Sequence, residues 1–395
     1  MKGVQHTSDT YRLALKFRYV IHCNIIFLTL YNTTMKINRK IFSKYKYLNH
    51  LDRLISVSQG DYTTPPVQVE VDPICVCNFR CAYCRSFNDL DAKHLWSKDF
   101  YENIFYDLKS GGVKSVTISG GGEPTLHPDI EKILFHCKKA GLMSALITNG
   151  SMLDKKNLRN VILNSCEGIR VSLGESTAKE HVKCKKYKKE NLFETIINSI
   201  RLLVNERNSQ DRNTLIGVQF IFDNNNYKGI TNATKLAKEI GVDYVELRRL
   251  QFSDLLKDKE AVNKKVTQEI QNLISDSKKK YETDEFIVFK RIQRKTLNST
   301  DFECESNICR APALEAVIGA DQNVYVCGGL RYIKKYSLGK IGDSFWDIWE
   351  SSERKEMLAK LKFKECAKYC GYKPYTILNE VIDYIRKKQP HSEFL

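Results

Sequence analysis

The chain has little that would carry it into or through a membrane. Its apolar stretch at residues 19–31 follows Arg12, Lys16 and Arg18 but is broken by His22 and Asn24, and a span needs about 20 apolar residues. No small-residue cleavage site follows, so a secretory signal is not expected. Residues 1–34 read instead as an over-extended start, with Met35 opening the functional protein. Internal repeats and low-complexity tracts are absent too, which removes solenoid and disordered classes. Acidic residues are in deficit, 47 against 63 Lys and Arg, for a net charge of +16. That balance invites nucleic acid. The lysines, however, are spread along the chain, and the dense runs at residues 183–189 and 278–280 read as solvated faces. Neither a nucleic-acid nor a membrane partner is expected.

Cysteine is what the chain has in excess. Thirteen cysteines in 395 residues, without a secretory signal, favour metal sites in a reducing, cytoplasmic setting over a disulfide framework. Hydrophobic content of 42% suits a globular core, and the length exceeds one ordinary domain. Three of the cysteines stand in the run Cys77-Asn-Phe-Arg-Cys81-Ala-Tyr-Cys84. A short loop bearing three thiolates suits an iron–sulfur cluster with one iron left open. Zinc is the competing reading. It would need a fourth ligand, for which Asp72, Asn78 and Asp89 are poor candidates.

With Tyr83 in the aromatic place, this run resembles the Cys-x3-Cys-x-aromatic-Cys signature of the radical S-adenosylmethionine (radical SAM) superfamily. About forty residues on, Ser119-Gly120-Gly121-Gly122-Glu123-Pro124 follows an apolar run and is similar to that family's Gly-Gly-Glu-Pro motif. Glycines let backbone approach a ligand closely, and Glu123 offers an anion to the ammonium of a methionine moiety. The resemblance implies a 4Fe–4S cluster on Cys77, Cys81 and Cys84, and S-adenosylmethionine bound at the open iron. One electron would cleave that cofactor to a 5′-deoxyadenosyl radical, which abstracts a hydrogen atom from substrate. It further implies cofactor contacts from Tyr83, Gly121, Gly122, Glu123, Asn149, Ser172 and Arg248. The family's Ser-x-Asp-Gly after the fourth strand is replaced here by Ser172-Leu-Gly174-Glu175. No catalytic side chain on the substrate is named by the sequence. Cys184, in its lysine-rich surroundings, is at most a candidate hydrogen-atom donor.

The fold expected is α/β. Strand-like and helix-like segments alternate from Val67 to Leu250, the pattern of a parallel sheet. Six such units match a partial (β/α)6 TIM-like open barrel, with ligands at the carboxyl ends of its strands. A small cysteine-rich α+β extension follows. The boundaries read as a helical segment over 35–65, the barrel over 66–252, a charged helical linker over 253–300, the extension over 301–374 and a closing amphipathic helix over 375–395.

In the extension, Cys309, Cys327, Cys366 and Cys370 lie in a setting that resembles the auxiliary-cluster domains called SPASM and, in shorter form, twitch. The turn before Cys327 reads Asp321-Gln322, where those families usually have Asp-Gly. The resemblance implies one auxiliary 4Fe–4S cluster, with Cys304 a rival to Cys309. A closed zinc site is the structural alternative. Cys137 reads as core, Cys75 as facing away from the triplet, and Cys23 and Cys166 carry no motif.

Three functions are then in view. The first is oxidation of a small molecule, an alcohol or amino sugar, with the auxiliary cluster accepting an electron and a flavodoxin or ferredoxin as donor. The second is a peptide maturase that crosslinks or epimerises a peptide; residues 35–65 are too short for the winged-helix recognition domain such enzymes often carry. The third, a non-catalytic iron–sulfur protein, sits poorly with Glu123, since an electron carrier needs no amino-acid cradle.

Overall fold

Alternating residues along short parallel strands build the frame. The computed structural model describes residues 46–84, 94–187, 191–250, 264–291, 308–362, 365 and 373–386. After α1 (Leu51–Ser58), six strands run parallel and pair in chain order: β1 (Gln68–Val71), β2 (Ser115–Ile118), β3 (Met143–Thr148), β4 (Gly168–Gly174), β5 (Leu215–Phe222) and β6 (Tyr244–Arg249). Val69, Val71, Val116, Ile118, Leu146, Ile169 and Val171 are at most 1% exposed and share one core with the helices. Residues between them, such as Glu70, Thr117 and Arg170, point to the opposite, concave face.

Helices α2 (Lys98–Ser110), α3 (Ile130–Lys139), α4 (Lys156–Ser165), α5 (Ala178–Lys185), α6 (Leu192–Ser209) and α7 (Ile230–Ile240) fill the connections. Their starts and faces follow from sequence. Ser97 caps α2 by accepting from the Phe100 N–H at 3.4 Å, and Tyr101, Ile104, Phe105 and Leu108 form its buried stripe. Ile130, Ile133, Leu134 and Cys137 do the same for α3, so Cys137 is core as expected.

Two features differ from the sequence reading. The segment expected to be a helical linker carries α8 (Lys264–Tyr281) but also β7 (Ile287–Lys290), which pairs in parallel with β6. The extension is also not a separate layer. Its β8 (Glu315–Ile318) pairs in parallel with β1, from Gln68↔Glu315 to Val71↔Ile318. Then β9 (Asn323–Tyr325) and β10 (Ser337–Lys340) follow antiparallel, giving one ten-stranded sheet ordered β10-β9-β8-β1-β2-β3-β4-β5-β6-β7. Three more helices, α9 (Phe345–Trp349), α10 (Ser352–Lys360) and α11 (Lys373–Arg386), complete the extension. Trp349 Nε1 donates to the Thr64 carbonyl at 3.0 Å, and Trp346 Nε1 to the Asp107 carbonyl of α2 at 2.9 Å. These bonds fasten the extension to the segments that lead into β1 and β2.

Candidate active site at the carboxyl ends of the strands

The chain leaves β1 at Val71 and enters the cysteine loop, while the glycine run leaves β2 beside it. Gly122 N–H donates to the Ile74 carbonyl at 3.2 Å and Glu123 N–H to the Val76 carbonyl at 2.8 Å, so the two motifs are zipped together. A Cβ at Gly122 would lie 2.3 Å from the Val76 carbonyl oxygen. Only glycine permits that approach. The third strand contributes Asn149. Its N–H donates to Glu123 Oε2 at 2.6 Å, and its amide donates to Asn78 Oδ1 at 2.9 Å and faces Cys77 Sγ at 3.9 Å. The Phe79 N–H also reaches Cys77 Sγ, at 3.4 Å.

Glu123 is 3% exposed and well occupied. Its Oε1 accepts from Thr125 N–H at 3.1 Å, Thr125 Oγ1 at 2.5 Å and Thr148 Oγ1 at 2.6 Å. Oε2 has the single Asn149 donor, which leaves it acceptor capacity. Burial pushes the Glu123 carboxyl up and its hydrogen bonds pull it back. A cation beside Oε2 would favour the charged form further.

On the other flank, α5 brackets the loop. Arg80 N–H donates to the Lys185 carbonyl and Ala82 N–H to the Cys184 carbonyl, both at 2.9 Å. Phe79 stacks on Tyr187 with ring centroids 5.3 Å apart. Lys185, inside the lysine run read as solvated, is 1% exposed, which corrects that reading for this residue. Its Nζ donates to Tyr83 Oη at 2.7 Å and to the Ser172 carbonyl at 2.9 Å. Thus Ser172 and Tyr83 are tied through Lys185. Gly174 has φ +87 and no room for a Cβ, which would lie 2.3 Å from Tyr83 Oη. Glu175 is 2% exposed, and burial raises its carboxyl. Cys184 is half-buried, and burial followed by the Glu175 charge raises its thiol, so it stays protonated rather than thiolate.

The remaining wall comes from the extension. Arg331 forks between two carboxylates of the β1 segment, Nη1 to Asp72 at 2.9 and 3.1 Å and Nη2 to Glu70 at 2.6 Å. Tyr332 donates to Asp72 Oδ2 at 3.1 Å, and a Cβ on Gly121 would lie 2.6 Å from its ring. Arg331 and Tyr332 were missed by sequence reasoning, and no local pattern marks them. Arg248 lies near the carboxyl end of β6, one pleat beyond Glu246, whose carboxylate feels its charge.

Cys81 and Cys84 lie near enough to Cys77 for their charge to raise its thiol. Three thiols on one short loop suit a cluster that leaves one iron open. Burial pushes Cys77 up to about 12 and raises Cys81, while Lys185 pulls Cys81 down. Loading metal here must therefore release thiol protons.

In the extension, Cys309 is 6% exposed and Cys327 half-buried. Cys309 N–H donates to the Leu361 carbonyl, and Leu361 belongs to the apolar cluster against which Cys327 packs. An antiparallel bridge pairs Ile308, next to Cys309, with Lys362. Cys304, Cys366 and Cys370, like Cys23, lie outside the described residues. Cys75 is 1% exposed, beyond the end of β1, and Cys166 is 5% exposed at the end of α4.

The model of the radical SAM superfamily matches residues 71–218, and that of the SPASM iron–sulfur cluster-binding domain matches residues 309–371. The chain carries a radical SAM domain followed by a SPASM domain. These domains imply 4Fe–4S clusters and S-adenosylmethionine as its cofactors. The AdoMet-dependent heme synthase of Methanosarcina barkeri is 28% identical over 167 residues, 42% of this chain and 45% of that protein. The tungsten-containing aldehyde ferredoxin oxidoreductase cofactor-modifying protein of Pyrococcus furiosus is 23% identical over 296 residues, 70% of this chain and 78% of that protein. The chain spans 15% to 45% of the length of the first curated relatives it matches. In fold it is similar to Streptococcus suis SuiB, solved bound to S-adenosylmethionine, with a TM-score of 0.60 at 15% identity, covering 87% of this chain and 78% of that one. SuiB has also been solved with its precursor peptide SuiA. Among the described residues no helix is long and apolar enough to cross a membrane.

Proposed function

We propose that this enzyme cleaves S-adenosylmethionine reductively and oxidises a small molecule such as an alcohol or amino sugar, with Cys77, Cys81 and Cys84 holding the cofactor-binding cluster. When bound, the cluster and S-adenosylmethionine supply a 5′-deoxyadenosyl radical that removes a hydrogen atom from substrate. The observation that carries the reading is the zipped pair of motifs, with Asn149 bridging Glu123 to Cys77. Asn149 and the Phe79 N–H orient and partly neutralise the first thiolate. Glu123 Oε2 would take the methionine ammonium, while Thr125 and Thr148 fix its carboxylate plane through Oε1. Gly121 and Gly122 keep side chains out of the cradle. Lys185 holds Tyr83 and the Ser172 carbonyl in place on the flank facing Cys81.

Cys309, Cys327, Cys366 and Cys370 would hold the auxiliary cluster, which suits acceptance of an electron from the substrate. A flavodoxin or ferredoxin in the cytoplasm is the proposed donor to the first cluster. A peptide substrate is the second reading, favoured by the fold shared with a protein solved with its precursor peptide. The cradle is tested by Glu123→Gln in anaerobically reconstituted protein. S-adenosylmethionine affinity should fall roughly 10- to 150-fold, the equivalent of losing a charge-assisted hydrogen bond of about 1.5–3 kcal/mol. Iron content should not change. Unaltered affinity would mean that Glu123 only caps the turn before Pro124.

A further inference from the structure

The concave face of β4–β6 carries a cluster that cofactor binding leaves unused. Arg170 on β4 donates from Nη1 to Glu246 Oε2 on β6 at 2.7 Å, and Arg291, just past β7, donates to Glu246 Oε1 at 3.1 Å. Gln219 on β5 pairs in register with Glu246. Their neighbours Val171, Val218 and Val245 pack with the helices, so by strand alternation these polar groups face the barrel interior. Each Glu246 oxygen thus accepts from one arginine, and against its burial these charges hold the carboxyl down to about 2, where it stays ionised. Glu70, which also feels Arg170, is already held by Arg331 and Ser119.

What remains is a surplus of donors. Arg170 Nε and Gln219 Nε2 are buried without a hydrogen-bond partner, and Gln219 is 2% exposed. Native interiors leave few polar groups unpaired, and such groups point to a ligand that completes them. Arg170, Arg291 and Arg248 surround one carboxylate, so the field is positive. Glu246 and Gln219 each lie three residues before the carboxyl ends of β6 and β5, the end of the sheet where the cysteine loop lies. Two unpaired donors in a positive, mostly buried setting suit an acceptor that brings negative charge.

We propose that this interior cluster binds an oxyanion of the substrate, a carboxylate or a phosphate, and so orients it beneath the radical site. The inference rests on the function proposed above and adds a substrate class to it. The test is isothermal titration of inorganic phosphate and of succinate into the reconstituted holoenzyme at constant ionic strength. The variants are Arg170→Gln and Gln219→Leu; the second is close in shape and keeps the test valid if the first misfolds. Saturable binding of either anion, weakened at least tenfold in both folded variants with S-adenosylmethionine affinity unchanged, is the expected result. Phosphate alone would identify a phosphorylated substrate, and succinate alone a carboxylic acid. Absence of saturable binding overturns the proposal, as does binding that ignores the variants. A parallel loss of S-adenosylmethionine affinity overturns it as well, because the cluster would then serve the cofactor. Formation of 5′-deoxyadenosine in the same preparation reports separately on the proposed function. Cleavage without anion binding sinks the inference alone.

Discussion

The two cysteine regions are built on different scales. Cys77, Cys81 and Cys84 fall within one short loop, bound to the ends of β1 to β4 and to α5 by the hydrogen bonds described above. Cys309 and Cys327, the described members of the C-terminal set, come from separate segments that both meet Leu361. A local site can bind and cleave a cofactor by itself. One assembled through tertiary contacts depends on the fold of the extension and suits a later step.

Substitutions should separate the two. The largest effect is expected from replacing Cys77, Cys81 and Cys84 together with alanine. Iron should drop by about half, from about eight atoms per chain, and 5′-deoxyadenosine formation should vanish. Retained cleavage in that variant would move the catalytic cluster elsewhere.

The same contrast extends to stability. In the barrel, Glu246 is 2% exposed and held by two arginines. Its folded pKa of about 2 lies below the ordinary value of 4.5. A depressed carboxyl stabilises above its unfolded pKa and loses that contribution as pH falls through the folded one. Wild type should therefore lose roughly 3 kcal/mol from this group between about pH 5 and 2. In Glu246→Gln that portion of the acid dependence should disappear in denaturant titrations. In the extension the effect is smaller. Gln322 sits at φ +65 in the turn before β9, where a side chain costs about 1–2 kcal/mol and glycine would lose about 0.5–1 in entropy. Gln322→Gly should raise stability by at most about 1.5 kcal/mol. A clear loss would show that its side chain has a further role.

How far the sequence could be read follows the same division. The triplet, the glycine motif, the Ser97 cap and the α3 stripe are local patterns, and each lies where its spacing placed it. Gln322, which stands where the resembled families usually have glycine, adopts the left-handed backbone that glycine favours. Lys185 could not be distinguished from its lysine neighbours, since only the packing of α5 against the cysteine loop buries it. The Arg331 fork joins residues about 260 apart in the chain, and the pairing of β8 with β1 is equally long-range. No local periodicity encodes either. β7 lay inside a charged segment whose helical pattern dominated the reading.

The central claim is that the first site cleaves the cofactor alone and the second acts on the substrate afterwards. It is tested most directly by Cys366→Ala combined with Cys370→Ala. Under dithionite, a variant with normal circular dichroism and an intact first cluster should still form 5′-deoxyadenosine at a rate near wild type. Loss of that cleavage, with the first cluster still loaded, would contradict the account.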